Sequence, residues 1–272
     1  MADADPAGVE QIRAFFTGEH PGLAAQRKRF RRIPSSPRCK LCEAPFGGFG
    51  GMAFRALGYG RSGNPSLCEK CVAELRKRGV TGLEIPVSLL FSDVRGSTAL
   101  GERMSPSEFH AFLDHFYRLA TDAIARHDGL VDKVVGDEVI GLFFGGISGP
   151  DHAAAAVRAG ADLAEAAASP DASASGAIPV GTAVHTGTAF VGASGPIATV
   201  DDFTALGDTV NATARLASVA AAGELIVSVA AAEAARVEPD GLERRTVAIR
   251  GRTEPLEVLV LRPADTAGQR AG

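Results

Sequence analysis

The stretch at residues 131–144, VDKVVGDEVIGLFF, constrains the fold of this chain more than any other. Two runs rich in β-branched and aromatic residues flank Gly136-Asp137, and a two-residue turn of this kind matches the twist of paired strands. The stretch therefore predicts a β-hairpin with the carboxylate of Asp137 at its tip. Because Asp and Gly are ordinary turn residues, the hairpin by itself does not indicate a functional site.

A second stretch, PVSLLFSDV, predicts a buried strand that starts at a domain boundary marked by Pro86 and ends at Asp93. If this strand is a neighbour of the hairpin, the carboxylates of Asp93 and Asp137 converge at one end of the sheet. Two converging aspartates suit Mg²⁺ or Mn²⁺, which prefer oxygen ligands and share their coordination with substrate phosphates. A turn or capping role is the simpler interpretation of each aspartate taken alone.

The following residues read as helices alternating with strands and hairpins. A long helix is predicted to begin with Ser105 as N-cap and Pro106 in its first turn, and to end near Asp128-Gly129. The further predicted elements are an Ala-rich helix capped by Asp151 and ending near Ala168, strands at 180–184 and 189–191 around a turn at Thr186-Gly187, a helix from Thr209 to about Ala221 capped by Asp208, a strand at ELIVSV and a C-terminal hairpin. This order predicts an α+β sandwich with a mainly antiparallel sheet and helices packed on it.

Two polar residues of the predicted 209–221 helix lie four apart. Asn211 and Arg215 therefore share one helix face. An Arg and an Asn that project together near a helix N-terminus suit a phosphate and a ribose. For this helix alone, a solvated face is the simpler interpretation.

All four cysteines lie upstream, in the pairs CKLC (Cys39, Cys42) and CEKC (Cys68, Cys71). Two such pairs place four thiolates within reach of one tetrahedral metal ion, so we expect a zinc-ribbon-like module at 34–82 with structural Zn²⁺. The Gly-rich loop between the pairs is poor in core residues, and a metal ion would supply the missing folding energy. An iron–sulfur cluster, disulfides or redox thiols stay open for these cysteines, and the module is either a structural cap or a regulatory element.

Chain length and net charge limit the number of domains and the kinds of partner to expect. The 272 residues suffice for one ordinary domain and a small module, and a net charge of −4 gives no general reason to expect nucleic acid. The basic run RKRFRR at 27–32 is interpreted as a solvated, partly helical connector, and an anionic partner is the second interpretation. Because no signal-peptide pattern or long apolar run occurs, a cytoplasmic protein without a membrane span is expected.

Five stretches resemble, in their order, the motifs of the class III nucleotidyl cyclases, catalytic domains that make cyclic AMP or cyclic GMP. They are FSDVRGST, DKVVGDEVIGLF, VGTAVHTGTAFVG, FTALGDTVNATARL and GELIVS, and the resemblance spans roughly 87–261. It implies a ferredoxin-like cyclase sandwich. The expected domains are a tail at 1–33, the cysteine module at 34–82, the cyclase domain at 86–263 and a disordered tail at 264–272.

The resemblance also implies a role for each matching residue. Two Mg²⁺ or Mn²⁺ ions would be held by Asp93, Asp137 and the backbone carbonyl of Val94. The purine would be read by Lys133 and Thr204, and the ribose would be oriented by Asn211. Arg215 would stabilise charge on the α-phosphate, and Arg250 or Arg252 would contact the triphosphate. The family further implies a head-to-tail homodimer, in which the aspartates of one chain and the remaining residues of the second chain form a shared site.

The base is predicted from hydrogen-bond donors and acceptors. Lys133 can only donate, which suits N1 of adenine, and the hydroxyl of Thr204 can accept from N6. We therefore expect ATP as substrate, and a guanylate cyclase is the second possibility within the family. Two non-catalytic hypotheses compete with an enzyme: a silent cyclase-like domain that binds nucleotide and dimerises, and a metal-ribbon DNA-binding protein. The net charge and the lack of a basic recognition helix disfavour DNA binding.

Overall fold

A computed structural model describes residues 6–62, 66–77, 82–173, 176–194, 202–249, 251–252 and 254–263. Arg250 and the predicted disordered tail at 264–272 lie outside these ranges. The described residues form two compact units: the first from 1–86, 144–150 and 188–206, the second from 87–143, 151–187 and 207–272. Each unit is made of several segments that alternate along the chain. The units therefore do not test the predicted domain bounds, which stay a prediction.

Ten helices and eight strands are seen in the described ranges. The helices are α1 (Pro6–Thr17), α2 (Pro21–Phe30), α3 (Gly48–Phe54), α4 (Glu69–Lys77), α5 (Ser97–Gly101), α6 (Pro106–Arg126), α7 (Gly145–Ser148), α8 (His152–Ala168), α9 (Asp208–Val219) and α10 (Val229–Ala235), with a π-helical turn at Arg55–Tyr59. The strands are β1 (Gly82–Val94), β2 (Leu130–Val135), β3 (Glu138–Phe143), β4 (Val180–Ser194), β5 (Asp202–Leu206), β6 (Glu224–Ser228), β7 (Glu243–Val247) and β8 (Leu256–Leu261).

The strands form one eight-stranded sheet in the order β2-β3-β1-β4-β6-β8-β7, with β5 paired to β4. β1 with β3, β2 with β3, β4 with β5, β6 with β8 and β7 with β8 run antiparallel, whereas β4 and β6 run parallel. The predicted fold class, a mainly antiparallel sheet with helices packed on it, is confirmed. The predicted 131–144 hairpin is confirmed as β2 and β3.

In the second unit, α6 and α8 each bury one side in the hydrophobic core. α6 begins as predicted, because Ser105 Oγ accepts from the Glu108 amide and the Glu108 carboxylate accepts from the Ser105 amide. Its residues Phe112 and Phe116 join Leu163 of α8 in one buried cluster with side chains from the sheet. Small alanines line the buried side of α8 and allow close packing.

The predicted turn at Thr186-Gly187 is wrong, because β4 continues through it as one strand to Ser194. Gly187 permits close packing instead of a turn: a Cβ at this position would lie 2.8 Å from Thr209 Oγ1 at the start of α9. The short strand β5, which pairs with the end of β4, was not predicted.

The predicted cap of α9 is also displaced by one residue. Gly207 is the N-cap, with a φ of 131° that favours glycine, and Asp208 is the first helical residue. Its carboxylate therefore lies in the first turn, where a negative charge is favourable. The helix α10 was not predicted; Ser228 caps it by accepting from the Ala231 amide.

The first unit is organised by aromatic packing. Phe16 of α1 contacts Phe144 edge to face, with the ring centroids 5.8 Å apart. The segment between the cysteine pairs, predicted to be a loop, contains α3 and the π-helical turn. These elements are held by the rings of Phe30, Phe54 and Tyr59, whose centroids lie 4.8 to 5.4 Å apart. Among helices in the described part of the chain, none is long and apolar enough to cross a membrane.

Candidate active site

Antiparallel pairing of β1 with β3 brings the two predicted metal-binding aspartates to the same end of the sheet. The register sets Asp93 opposite Glu138, the residue that follows Asp137. Next along β1, the Val94 amide donates to the Asp137 carbonyl over 3.1 Å. Asp93, Val94 and Asp137 are therefore immediate neighbours, and together with Glu138 they form what we call the carboxylate corner.

The turn of the hairpin is fixed from two sides. Ser97 at the start of α5 donates its hydroxyl proton to Asp137 Oδ2, and Tyr117 of α6 donates to the Gly136 carbonyl. Gly136 has a φ of 60°, a conformation that glycine adopts without strain. Both donors hold the turn against helices, so the carboxylate of Asp137 is preorganised.

Arg95 connects the carboxylate corner to α9. Its Nη2 donates to Asp93 Oδ2 over 2.7 Å, and its Nη1 donates to the Ser218 carbonyl near the end of α9 over 3.1 Å. Arg95 was not predicted as a site residue, although it lies inside the SDVRGST motif. Glu138, Ser97 and Tyr117 were not predicted either, since their roles depend on contacts formed only in the fold.

The electrostatics of the carboxylate corner favour a cation. Burial raises the pKa of Asp93; the guanidinium of Arg95 opposes this rise and the charge of Asp137 adds to it. Burial, together with the charges of Asp93 and Asp137, also raises the pKa of Glu138. Within the described ranges, Asp93 Oδ1 is buried and has no hydrogen-bond partner. A set of oxygen donors that includes one buried carboxylate oxygen without a hydrogen-bond partner fits Mg²⁺ or Mn²⁺.

The two residues predicted to read the purine lie in different units. Lys133 is half-buried on β2, opposite Ile140 of β3 and just after a register shift in the hairpin. Thr204 lies on β5 in the first unit, opposite Gly192, with its side chain buried. Their roles stay a prediction.

α9 carries the polar pair predicted to act on the substrate. Asn211 and Arg215 are exposed on it, as predicted for one polar face, while Ala212 and Leu216 are buried. At its start, Asp208 forms an ion pair of 3.3 Å with Arg252, so this predicted triphosphate residue lies beside the first turn of α9. Arg250 lies outside the described residues. The contribution of these side chains to a shared site stays a prediction.

The four cysteines form a second cluster, in the first unit. All are buried, and their sulfur atoms lie within 4.8 Å of one another. The Cys39 and Cys71 sulfurs are 3.9 Å apart, and those of Cys42 and Cys68 are 3.6 Å apart. The amides of Cys68 and Cys71 donate to the sulfurs of Cys39 and Cys68, over 3.3 and 3.4 Å. Such donors stabilise thiolate charge, which fits the donor set of a tetrahedral metal site.

The pKa values of the cysteine thiols are also consistent with a bound cation. Burial opposes ionisation of Cys39, yet hydrogen bonds from Cys42, Cys68 and Cys71 outweigh it and hold the pKa of Cys39 well below its ordinary value. The hydrogen bond to Cys39 is the largest cause of the raised pKa of Cys42 and of Cys71. A divalent cation bound here would take the place of the shared protons.

Comparison with known proteins agrees with this geometry. The family model described as "Adenylate and Guanylate cyclase catalytic domain" matches residues 84–261. An adenylate cyclase of Anabaena cylindrica is 30% identical over 156 residues, 54% of this chain and 31% of that protein. Adenylate cyclase 1 of Rhizobium meliloti is 33% identical over 134 residues, 48% of this chain and 20% of that protein. The chain thus spans less than a third of either relative.

Solved structures share the fold. The guanylyl cyclase Cya2 is 28% identical and superposes with a TM-score of 0.60, covering 66% of this chain and 93% of its own. The adenylyl cyclase CyaB from P. aeruginosa, 24% identical, superposes with a TM-score of 0.58 over 66% of this chain and 95% of its own. Since the family match covers more than half of the residues and contains the carboxylate corner, the chain belongs to the adenylate and guanylate cyclase catalytic domain family.

Proposed function

We propose that the protein is an adenylate cyclase, which converts ATP to 3′,5′-cyclic AMP and pyrophosphate as a homodimer. Membership of the family supports a lyase that acts on a nucleoside triphosphate. The observation that carries the proposal is the carboxylate corner, where Asp93 has a buried oxygen without a hydrogen-bond partner close to Asp137. A catalytically silent relative would not need to keep an unsatisfied buried carboxylate oxygen, which costs folding free energy.

The chemistry joins the ribose 3′-oxygen to the α-phosphorus and breaks the bond to pyrophosphate, while the 3′-hydroxyl loses its proton. Two Mg²⁺ or Mn²⁺ ions held by Asp93, Asp137 and the Val94 carbonyl would lower the pKa of that hydroxyl and neutralise phosphate charge. Asn211 orients the ribose, and the guanidinium of Arg215 donates to the α-phosphate as charge develops there. Arg250 or Arg252 contacts the departing phosphates. Positioning and charge stabilisation therefore dominate catalysis.

ATP is the proposed substrate because Lys133 is a donor that suits N1 of adenine, while Thr204 can accept from N6. The similarity to the guanylyl cyclase Cya2 supports a second candidate, a guanylate cyclase. The hydroxyl of Thr204 can also donate to O6 of guanine, so Lys133 is the residue on which the choice of ATP rests.

The proposed assembly is a head-to-tail homodimer in the cytoplasm. Each chain carries both half-sets of residues, so two equivalent sites form when the carboxylate corner of one chain meets Lys133, Thr204 and α9 of its partner. The exposure of Asn211 and Arg215 supports this arrangement for α9, because both side chains are accessible to a second chain.

We also propose that the four-cysteine cluster holds structural Zn²⁺. The sulfur spacing and the amide donors support tetrahedral thiolate coordination. Metal analysis of the purified protein should give one zinc per chain, and Cys68→Ser should lower that content and the melting temperature. A visible absorption band with bound iron would instead identify an iron–sulfur cluster.

Cyclic nucleotide production by the purified full-length protein tests the main proposal. We expect cyclic AMP from ATP with Mn²⁺ or Mg²⁺, and a loss of at least about 100-fold in Asp137→Asn. Asp122→Asn, which changes an exposed carboxylate of α6, is the matched control and should keep full activity. Cyclic GMP as the main product would select the second candidate, and no product from either nucleotide in a folded, metal-loaded dimer would contradict both.

A further inference from the structure

The positive charge of this chain is concentrated around the cysteine cluster. Residues 27–77 contain twelve Lys and Arg against three Asp and Glu, a net charge of +9, whereas the whole chain carries −4. The rest of the chain therefore carries −13. Four thiolates around Zn²⁺ would lower the charge of the segment by about two, and it would still be strongly positive. Such an asymmetry indicates an anionic partner for this segment.

The structure separates one structural arginine of the basic run from its exposed members. Arg27 points inward, where it donates to the Gly146 carbonyl over 2.9 Å and lies 3.7 Å from the Glu43 carboxylate. Lys28, Arg29, Arg31 and Arg32 are exposed, and Arg31 also pairs with Glu43 over 3.2 Å. Four cations of one run thus reach solvent at the end of α2 and just beyond it.

Exposed apolar side chains lie on the neighbouring element. Phe49 and Met52 of α3 and Leu57 of the π-helical turn are 89%, 65% and 63% exposed, the highest values for large hydrophobic residues in the described part of the chain. The buried side of α3 is Gly51, where a Cβ would lie 2.3 Å from the Phe46 carbonyl oxygen. This fit fixes which side of α3 faces outward, so Phe49 and Met52 are held in solvent.

Phe30 links the exposed cations of the basic run to the exposed apolar side chains. It sits between Arg29 and Arg31, and its ring packs edge to face on Phe54 at 4.8 Å and on Tyr59 at 5.4 Å. The end of α2, which bears the cations, therefore packs directly on the elements that bear the apolar side chains. We call this set the basic-apolar surface; its members are Lys28, Arg29, Arg31, Arg32, Phe49, Met52 and Leu57.

We propose that the basic-apolar surface docks the protein on anionic phospholipid bilayers. Lys and Arg side chains close to such a surface are attracted by its negative charge, and salt screens this attraction. Aromatic and aliphatic side chains can enter the boundary between headgroups and acyl chains. A nucleic acid would offer bases to stack on Phe49, but it offers no comparable partner for the aliphatic side chains of Met52 and Leu57, so the lipid surface fits better.

Vesicle flotation with the full-length, metal-loaded protein tests this inference. We expect binding to phosphatidylcholine vesicles that contain about 30 mol% phosphatidylglycerol, none to pure phosphatidylcholine vesicles, and a decrease of at least about tenfold as NaCl rises from about 0.1 to 0.5 M. Lys28→Glu with Arg29→Glu should weaken binding at least about tenfold. Phe49→Gln with Met52→Gln should also weaken it and leave the salt dependence in place.

The control is a pair of charge reversals elsewhere. Arg118→Glu with Arg158→Glu changes two exposed arginines of α6 and α8, and it should leave vesicle binding unchanged. Unchanged zinc content and melting temperature would show that each variant is folded. Absence of anionic-vesicle binding by the wild type, or equal loss in the control, overturns the proposal. Binding to a single-stranded oligonucleotide at least about tenfold tighter than to vesicles assigns the surface to nucleic acid and overturns it as well.

Discussion

Arg95 and Asp93 lie two residues apart at the end of β1 and form an ion pair of 2.7 Å, Arg95 Nη2 to Asp93 Oδ2. The ion pair engages one oxygen of a carboxylate that we propose as a metal ligand. The second oxygen, Oδ1, is buried and has no hydrogen-bond partner. Through Nη1 the same guanidinium reaches the Ser218 carbonyl of α9. We therefore expect Arg95 to act as a positioning residue with two opposing effects: it would orient Asp93, and its positive charge would compete with a bound cation.

Replacing Arg95 should separate these effects. In Arg95→Gln we expect kcat to fall about tenfold, equivalent to about 1.4 kcal/mol, because Asp93 and α9 lose their common anchor. The Mn²⁺ concentration for half-maximal binding, measured without nucleotide, should fall severalfold because a competing cation is gone. Titration of Mn²⁺ by its electron paramagnetic resonance signal measures that binding apart from activity.

Arg118→Gln, at an exposed position of α6, is the matched control and should change neither quantity. Arg95→Lys keeps the charge but not the two-pronged geometry, so it should leave metal binding near the wild-type value while kcat stays low. Weaker Mn²⁺ binding in Arg95→Gln would show that orientation of Asp93 outweighs the charge of Arg95.

Two inactive variants should complement each other if the active sites are shared between chains. Asp93→Ala removes one half-set and Asn211→Ala removes the second, so a heterodimer of the two keeps one intact site. Random mixing makes about half of the dimers mixed, and the mixture should show about one quarter of the wild-type activity. Asp93→Ala mixed with Asp137→Ala, both in the same half-set, should show no recovery. Lack of recovery in a verified Asp93→Ala and Asn211→Ala heterodimer would exclude the shared site.

Local signals account for what could be predicted from the sequence. The turn residues Gly136-Asp137 lie between two β-branched runs, and Ser105 with Glu108 marks the start of α6, so these elements depend on neighbours within a few residues. The convergence of Asp93 and Asp137 required only that β1 lie next to the hairpin, which the topology has. The family motifs added roles that spacing could not supply.

Distant contacts account for what could not be predicted. A glycine marks either a turn or a close approach, and Gly187, within β4, marks a close approach of Thr209 of α9. The contact of Arg95 with Ser218 joins residues 123 apart in the chain. Whole-chain net charge concealed the positive segment at 27–77, because the acidic remainder cancels it.

Stability should depend on pH through His185. This residue is buried, its Nδ1 lies 2.8 Å from Ser228 Oγ, and burial together with the charge of Arg252 lowers its pKa to about 4, while Asp208 opposes the shift. The unfolded chain, with an ordinary histidine pKa near 6.5, binds more protons between these values. The stabilisation is therefore complete above pH 6.5 and is lost as pH falls toward 4, by about 2 kcal/mol between pH 7 and pH 5.

Urea unfolding of the wild type and of His185→Asn at several pH values measures this loss. Asn can keep a hydrogen bond to Ser228 but does not titrate, so its stability should decrease less between pH 7 and pH 5. The low pKa of Glu224, about 2, which the hydrogen bond from Arg245 chiefly causes, affects both proteins equally and mainly below pH 4.5. Parallel pH profiles for the two proteins would show that His185 does not cause the acid sensitivity.

Exchange of a donor for an acceptor at residue 133 should change the choice of base. In Lys133→Glu the ATP-to-GTP ratio of kcat/KM should fall at least about tenfold, because a carboxylate accepts from N1 of guanine and repels N1 of adenine, while Thr204 can donate to O6. Lys133→Met, which only removes the donor, should lower the rate with ATP and give no gain with GTP. If both variants lose ATP activity equally and neither gains any with GTP, residue 133 positions the hairpin and does not read the base.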